Sequence, residues 1–199
     1  LPVDEALSAD RDDHRIRHQV ETPLPADIHM RPPPLRLDLG ELHCLSVGRG
    51  TLTDEERFLI NNHIVQSIIM LRGLPFPEYL KDVPEVAGNH HEHLDGSGYP
   101  RRLSAERMAP LARMMAIADI FEALTAADRP YKRSKPLSEA VGLLADRVRA
   151  GHLDPDLFAL FLQTGVHRRF AERFLDPAQI DAVDVEAMLE RAQAVPGRG

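Results

Sequence analysis

Apolar residues along this chain recur at three- and four-residue intervals over long stretches, and period-two alternation is absent, so the pattern predicts amphipathic helices and no substantial sheet. The clearest stretch holds Leu52, Phe58, Leu59, Val65, Ile68, Ile69 and Leu71, with Thr53 and Glu56 three residues apart as a capping box. It predicts a helix over 54–71 that stops near Arg72 and Gly73. Pro84 opens a second helix, centred on 86–91 and carried through His91 and Glu92. Pro110 opens a third over 111–126, through Leu111, Met114, Met115, Ile117, Ile120, Phe121 and Leu124. Two more are predicted over 137–149 and 155–162. Residues 1–40 are polar and broken by Pro23, Pro25 and the run Pro32, Pro33, Pro34, so they read as an irregular arm or linker. The fold class expected is all-α: an arm over 1–40, a helical domain over 41–185 and a tail over 186–199.

Composition narrows what such a domain can do. At 199 residues and 43% apolar, the chain can bury one good core. A net charge of -7 argues against a broad DNA- or RNA-binding surface, which needs a basic face to displace counterions. Any anionic ligand must therefore meet a local cluster of cations. The single cysteine, Cys44, excludes a disulfide within the chain and fits a reducing compartment, so a cytoplasmic location is expected. No apolar run approaches the ~20 residues of a membrane helix, and no secretory pattern opens the sequence.

The densest polar cluster is Asn89-His90-His91-Glu92-His93-Leu94-Asp95-Gly96-Ser97-Gly98-Tyr99-Pro100. Three histidines and two carboxylates in so short a span have the composition of a metal site for Zn, Fe, Mn or Ni, which imidazole ligates and Mg does not require. The competing reading is a set of solvated residues at a helix C-terminus, where a partly cationic ring suits the dipole. Neighbouring positions on a helix point about 100° apart, so His90 and His91 need ligands from other helices. His63, among Ile60, Ile64 and Ile68, and Asp119, among Ala116, Ile117, Ala118, Ile120 and Phe121, are the two candidates. Each puts a polar group where apolar residues are expected, and each has the alternative of being satisfied by a neighbouring backbone or side chain.

The string His90-His91-Glu92-x-x-Asp95-Gly96-x-Gly98-Tyr99-Pro100 resembles the HHExxDGxGYP motif of HD-GYP domains, and Ala118 to Leu124 followed by Asp128-Arg129-Pro130-Tyr131-Lys132 is similar to that family's second signature. The resemblance implies a helical bundle with a metal centre in its core and phosphodiesterase activity on cyclic di-GMP. Position by position, it makes His63, His90, His91 and Asp119 metal ligands and Arg129 and Lys132 the cations that grip the dinucleotide's phosphates. It gives the loop of Asp95, Gly96, Gly98, Tyr99 and Pro100 to substrate access and to contact with a diguanylate cyclase domain. The bland reading of Gly98-Tyr99-Pro100 is a turn.

One part of the family pattern is missing. The family's His-Asp-x-Gly-Lys segment is expected near Pro33-Pro34-Leu35-Arg36-Leu37, and no adjacent His-Asp pair occurs anywhere in the chain. His29 and His43 flank that place, and His14 with His18 has i, i+4 spacing, but a proline-rich arm is a poor platform for ligands, so these four read as solvent-exposed. The resemblance without its dyad implies at most one divalent transition ion per chain and no assignable catalytic residue. Three functions follow: a cyclic-dinucleotide or partner-binding output module with weak or lost hydrolysis, an active phosphodiesterase, or a helical scaffold that keeps a metal for stability.

Overall fold

A computed structural model describes residues 14–18, 24–48, 50–126 and 135–193. The chain packs as two compact units, Leu1–Pro75 and Phe76–Gly199.

In the first unit, a two-residue strand β1 (Arg15–Ile16) pairs antiparallel with β2 (Leu37–Asp38), Arg15 opposite Asp38 and Ile16 opposite Leu37. A short helix α1 (Glu41–Leu45) follows, and then the long helix α2 (Asp54–Arg72). The capping box forms as its sequence predicts: Glu56 N donates to Thr53 Oγ1 at 3.3 Å, and Thr53 N donates to Glu56 Oε2 at 2.9 Å. Acidic Asp54, Glu55 and Glu56 sit in the first turn and Arg72 in the last, which suits the helix dipole. The buried stripe of α2 is Ile64, Val65 and Ile68, and Arg72 anchors the helix end to Asp27 through a two-pronged pair at 3.0 and 2.6 Å.

The second unit carries α3 (Val83–Gly88), α4 (Pro110–Thr125), α5 (Leu137–Arg149), α6 (Pro155–Gln163), α7 (Val166–Phe174) and α8 (Val185–Gln193). Its core is built on α5, where Ala140, Val141, Leu144 and Ala145 are wholly buried against Ile117, Phe121, Phe158 and Leu162. Each large apolar side chain so buried contributes about 1.5–3 kcal/mol. Phe121 meets Phe161 and Phe170 edge-on, with ring centroids 5.1 and 5.5 Å apart, which fixes α6 and α7 against α4. Asp154 caps α6, its Oδ1 accepting from Asp156 N at 3.0 Å and Leu157 N at 3.1 Å.

The fold is all-α; among the described residues the only strands are the β1–β2 pair, and no described helix is long and apolar enough to cross a membrane. The helices expected over 54–71, 111–126, 137–149 and 155–162 are present within a residue of those bounds. The second helix is corrected. It runs from Val83 to Gly88 and does not reach His91, because Gly88 and Asn89 end it and the following residues form a turn. Helix α8 lies in the segment read as a tail, with Met188, Leu189 and Ala192 packed on the core, and α7 also escaped the periodicity reading.

Candidate functional site

The turn that ends α3 carries the paired histidines. His90 Nδ1 lies 2.6 Å from the Ala87 carbonyl oxygen, so the proton sits on Nδ1 and the lone pair is on Nε2. The His90 and His91 rings lie 4.1 Å apart between centroids, tilted by 48°. His91 stacks on Tyr99 of the GYP loop at 4.9 Å and 24°, and its Nδ1 comes within 4.0 Å of Asp119 Oδ2 on α4. Burial, and then the charge of Asp119, push the Tyr99 hydroxyl above its ordinary pKa. Inside the second unit His91 thus meets three neighbours in turn: His90 of the same turn, Tyr99 of the loop and Asp119 of α4.

Glu92 holds the loop in place. Its carboxylate is buried, and its two oxygens accept from Arg101 N at 2.6 Å and Leu103 N at 2.8 Å. Burial pushes its pKa up, against the amide donors that pull it down. Gly98 passes so close beneath that a Cβ there would stand 2.3 Å from His93 N and 2.5 Å from Glu92 Cα, so this position has space for glycine alone. The left-handed residue of the loop is Gly96, at φ 78°.

The family profile described as HD domain matches residues 14–157. A 3'3'-cGAMP-specific phosphodiesterase of Vibrio cholerae is 39% identical over 129 residues, 63% of this chain and 29% of its own length. A cyclic di-GMP phosphodiesterase of Pseudomonas aeruginosa is 39% identical over 114 residues, 57% of this chain and 26% of its own length. A probable cyclic di-GMP phosphodiesterase of Vibrio cholerae is 29% identical over 178 residues, 85% of this chain and 38% of its own length. The chain belongs to the HD domain family, in its HD-GYP branch. It spans well under half the length of these relatives.

Phosphohydrolases of the HD domain family are metal-dependent, and the residue types His90, His91 and Asp119 in the second unit are ones that ligate divalent transition ions. They offer two imidazoles, one with its tautomer fixed by a backbone carbonyl, and a carboxylate, the mixed nitrogen and oxygen ligation such ions take. Of the other residues singled out in the sequence, His63 stands on α2 of the first unit. It is exposed beside the buried stripe, with Nδ1 2.6 Å from Ile60 O, so the cost of burying an imidazole is not what the sequence places there. Asp119 is likewise open to solvent on one side, its side chain 40% exposed. Arg129 and Lys132 lie outside the described residues.

The arm histidines also find places. His29 is exposed, as expected, whereas His14 and His18 are half-buried, and His18 Nε2 lies 3.0 Å from Pro33 O. His43 is half-buried too, 3.1 Å from Glu55 Oε2.

A segment not singled out in the sequence, Leu37-Asp38-Leu39-Gly40-Glu41, matches the His-Asp-x-Gly-Lys pattern at its aspartate and glycine and departs from it at Leu37 and Glu41. Asp38 is occupied locally: Oδ1 accepts from Gly40 N at 3.0 Å, and Oδ2 lies 3.6 Å from Arg15 Nε.

Proposed function

We propose that this chain is an HD-GYP signalling output module that binds a cyclic dinucleotide beside one divalent transition ion, with hydrolysis of the phosphodiester weak or lost. The observation that carries the reading is the approach of His91 to Asp119 at 4.0 Å, in a chain that retains the HHExxDGxGYP string yet has no adjacent His-Asp pair. His90, His91 and Asp119 would hold an Fe, Mn, Zn or Ni ion, which when bound would supply Lewis-acid charge for a phosphate oxygen. The protein's own groups do the rest. The Ala87 carbonyl fixes the His90 tautomer, the Tyr99 ring sets the plane of His91, and Glu92 ties the loop that bears both. Arg129 and Lys132 neutralise the ligand's phosphates, a task to which guanidinium and ammonium groups are chemically suited. His63 carries a ligand expectation from the family motif.

On this reading, a chain with no adjacent His-Asp pair would lack a ligand for the family's second ion, and with Glu41 where the pattern has lysine it would lack one phosphate contact. The test measures bound metal, cyclic di-GMP and 3'3'-cGAMP affinity, and the linear product by chromatography on one sample. The expected result is dinucleotide binding, turnover far slower than the ~1 per second at the low end of ordinary enzymes, and loss of one ion equivalent in His90→Ala/His91→Ala. His63→Ala should weaken retention of the same equivalent. The relatives' names favour the second reading, an active phosphodiesterase, and turnover at ordinary enzyme rates would establish it.

A further inference from the structure

Beyond the His90 and His91 turn, the GYP loop meets the loop between α5 and α6, both in the second unit. Two backbone hydrogen bonds latch them: Leu94 N donates to His152 O at 3.2 Å, and Asp95 N donates to Gly151 O at 3.1 Å. Gly151 takes the left-handed conformation, φ 78°, that lets the chain turn into this latch. The latch lays the His93 ring over the His152 ring, with centroids 4.0 Å apart and planes 11° from parallel. Asp95 Oδ2 stands 3.8 Å from His152 Nε2, and one donor atom from each of the three residues lies within 4.8 Å of the others.

We propose that His93, Asp95 and His152 form a second metal site, separate from the His90, His91 and Asp119 set, that takes a borderline divalent cation such as Zn(II), Ni(II) or Cu(II) and staples the GYP loop to the α5–α6 loop. Two imidazoles and a carboxylate select against Mg and Ca, which prefer all-oxygen shells. Metal–ligand bonds of ~2.1 Å at a tetrahedral angle put donor atoms roughly 3.4 Å apart, so the 3.8 Å pair needs only a small closure. The supporting contacts are also in place. Ser97 Oγ lies 2.9 Å from His93 Nδ1 and can accept a proton from it, the arrangement in which Nε2 would be free to ligate. Ser97 N donates to Asp95 Oδ1 at 2.9 Å, so Oδ2 is the oxygen turned toward His152. The backbone latch explains why the loops meet, but it does not require two stacked imidazoles and a carboxylate at the meeting point.

One neighbour opposes the ion. Arg147, exposed near the end of α5, holds a guanidinium nitrogen 3.4 Å from His152 Nδ1. Ligation through Nε2 puts the proton on Nδ1, so Arg147 must swing away, and Arg147→Ala should tighten the site.

The proposal does not depend on cyclic-dinucleotide binding, and it is tested on the untagged full chain, stripped with a chelator and titrated with Zn(II). The unmodified protein should hold two equivalents, and His90→Ala/His91→Ala should keep one. His93→Gln and His152→Gln, singly, should each weaken one equivalent by at least about tenfold. Because the glutamine variants test the fold as well as the site, labelling of imidazoles by diethylpyrocarbonate, read by mass spectrometry, gives an independent measure. Zn(II) should protect His152 in the His90→Ala/His91→Ala chain. Two equivalents that survive His152→Gln, a single equivalent abolished by His90→Ala/His91→Ala, or His152 labelling indifferent to Zn(II) would each overturn the site.

Discussion

Gly98 and Glu92 show at single-residue scale why the GYP string is as much a folding device as a chemical one. Adding one methyl group at Gly98 drives it into the His93 and Glu92 backbone, at 2.3 and 2.5 Å, and backbone cannot rotate aside as a flexible side chain does. Gly98→Ala should therefore lower unfolding free energy by about 1–3 kcal/mol or more, measured by urea denaturation, and should loosen His91 by displacing the neighbouring Tyr99. Glu92→Gln tests the other half of the loop's anchorage. The amide keeps one acceptor oxygen but points NH2 at a backbone N–H, either Arg101 or Leu103, and a buried donor then faces a donor. A loss of about 1–3 kcal/mol is expected for an unsatisfied buried group. A melting temperature unchanged in Glu92→Gln would mean that the two amides find other acceptors.

Among the elements, what was legible in the sequence was what is local and periodic. Thr53 with Glu56 marked the start of α2, Pro110 marked α4, and the apolar spacing of 137–149 marked α5. Helices α7 and α8 were not legible, since each spans only nine residues, too few turns for an apolar spacing to repeat convincingly. The end of α3 was misjudged because Glu92, a good helix former, is recruited by amides from Arg101 and Leu103 that no local window contains. The motif histidines of the site were legible, but His152 was not, since it reaches His93 only through the fold. Asp154 is a further case: it caps α6 and also receives Arg113 Nη1 of α4 at 3.0 Å. Burial alone pushes its carboxyl up, but the Leu157 and Asp156 amides and the Arg113 charge outweigh that and leave the pKa below its ordinary value. A group depressed in the folded state stabilises at pH above its unfolded pKa and loses that stabilisation as pH falls through the folded pKa. Asp154→Asn should accordingly melt below the unmodified protein at neutral pH, by about 1 kcal/mol, and the gap should close as the buffer is taken below the ordinary carboxylate range. Thermal melts across that acid range check the sign, and a gap that widened with acid would reverse the account.

For the whole molecule, the governing quantity is the net charge of -7, which repels a dianionic dinucleotide at long range and leaves recognition to short-range contacts. On the proposed reading salt has opposed effects on binding: it screens the unfavourable overall field, and it would also screen the proposed pairing of phosphates with Arg129 and Lys132. Duplex DNA, which needs an extended basic surface, should show no binding at physiological salt in a filter or polarisation assay. The decisive comparison is between ligand affinity and metal content. Removing Arg129 or Lys132 takes away a charge-assisted contact worth about 1.5–3 kcal/mol, so Arg129→Ala and Lys132→Ala should each weaken cyclic di-GMP binding by roughly tenfold to a hundredfold. Both variants should keep the same bound ions and the same melting temperature, because neither residue is a proposed ligand of the metal. His90→Ala/His91→Ala should give a different pattern, losing that ion and the ligand together, if a phosphate oxygen shares the proposed cation with the imidazoles. Titration calorimetry with cyclic di-GMP on the three variants, paired with elemental analysis of the same samples, separates the two patterns. Affinity that persists in Arg129→Ala and Lys132→Ala would show that the phosphates are held elsewhere and that the family's cation positions have changed their use in this chain.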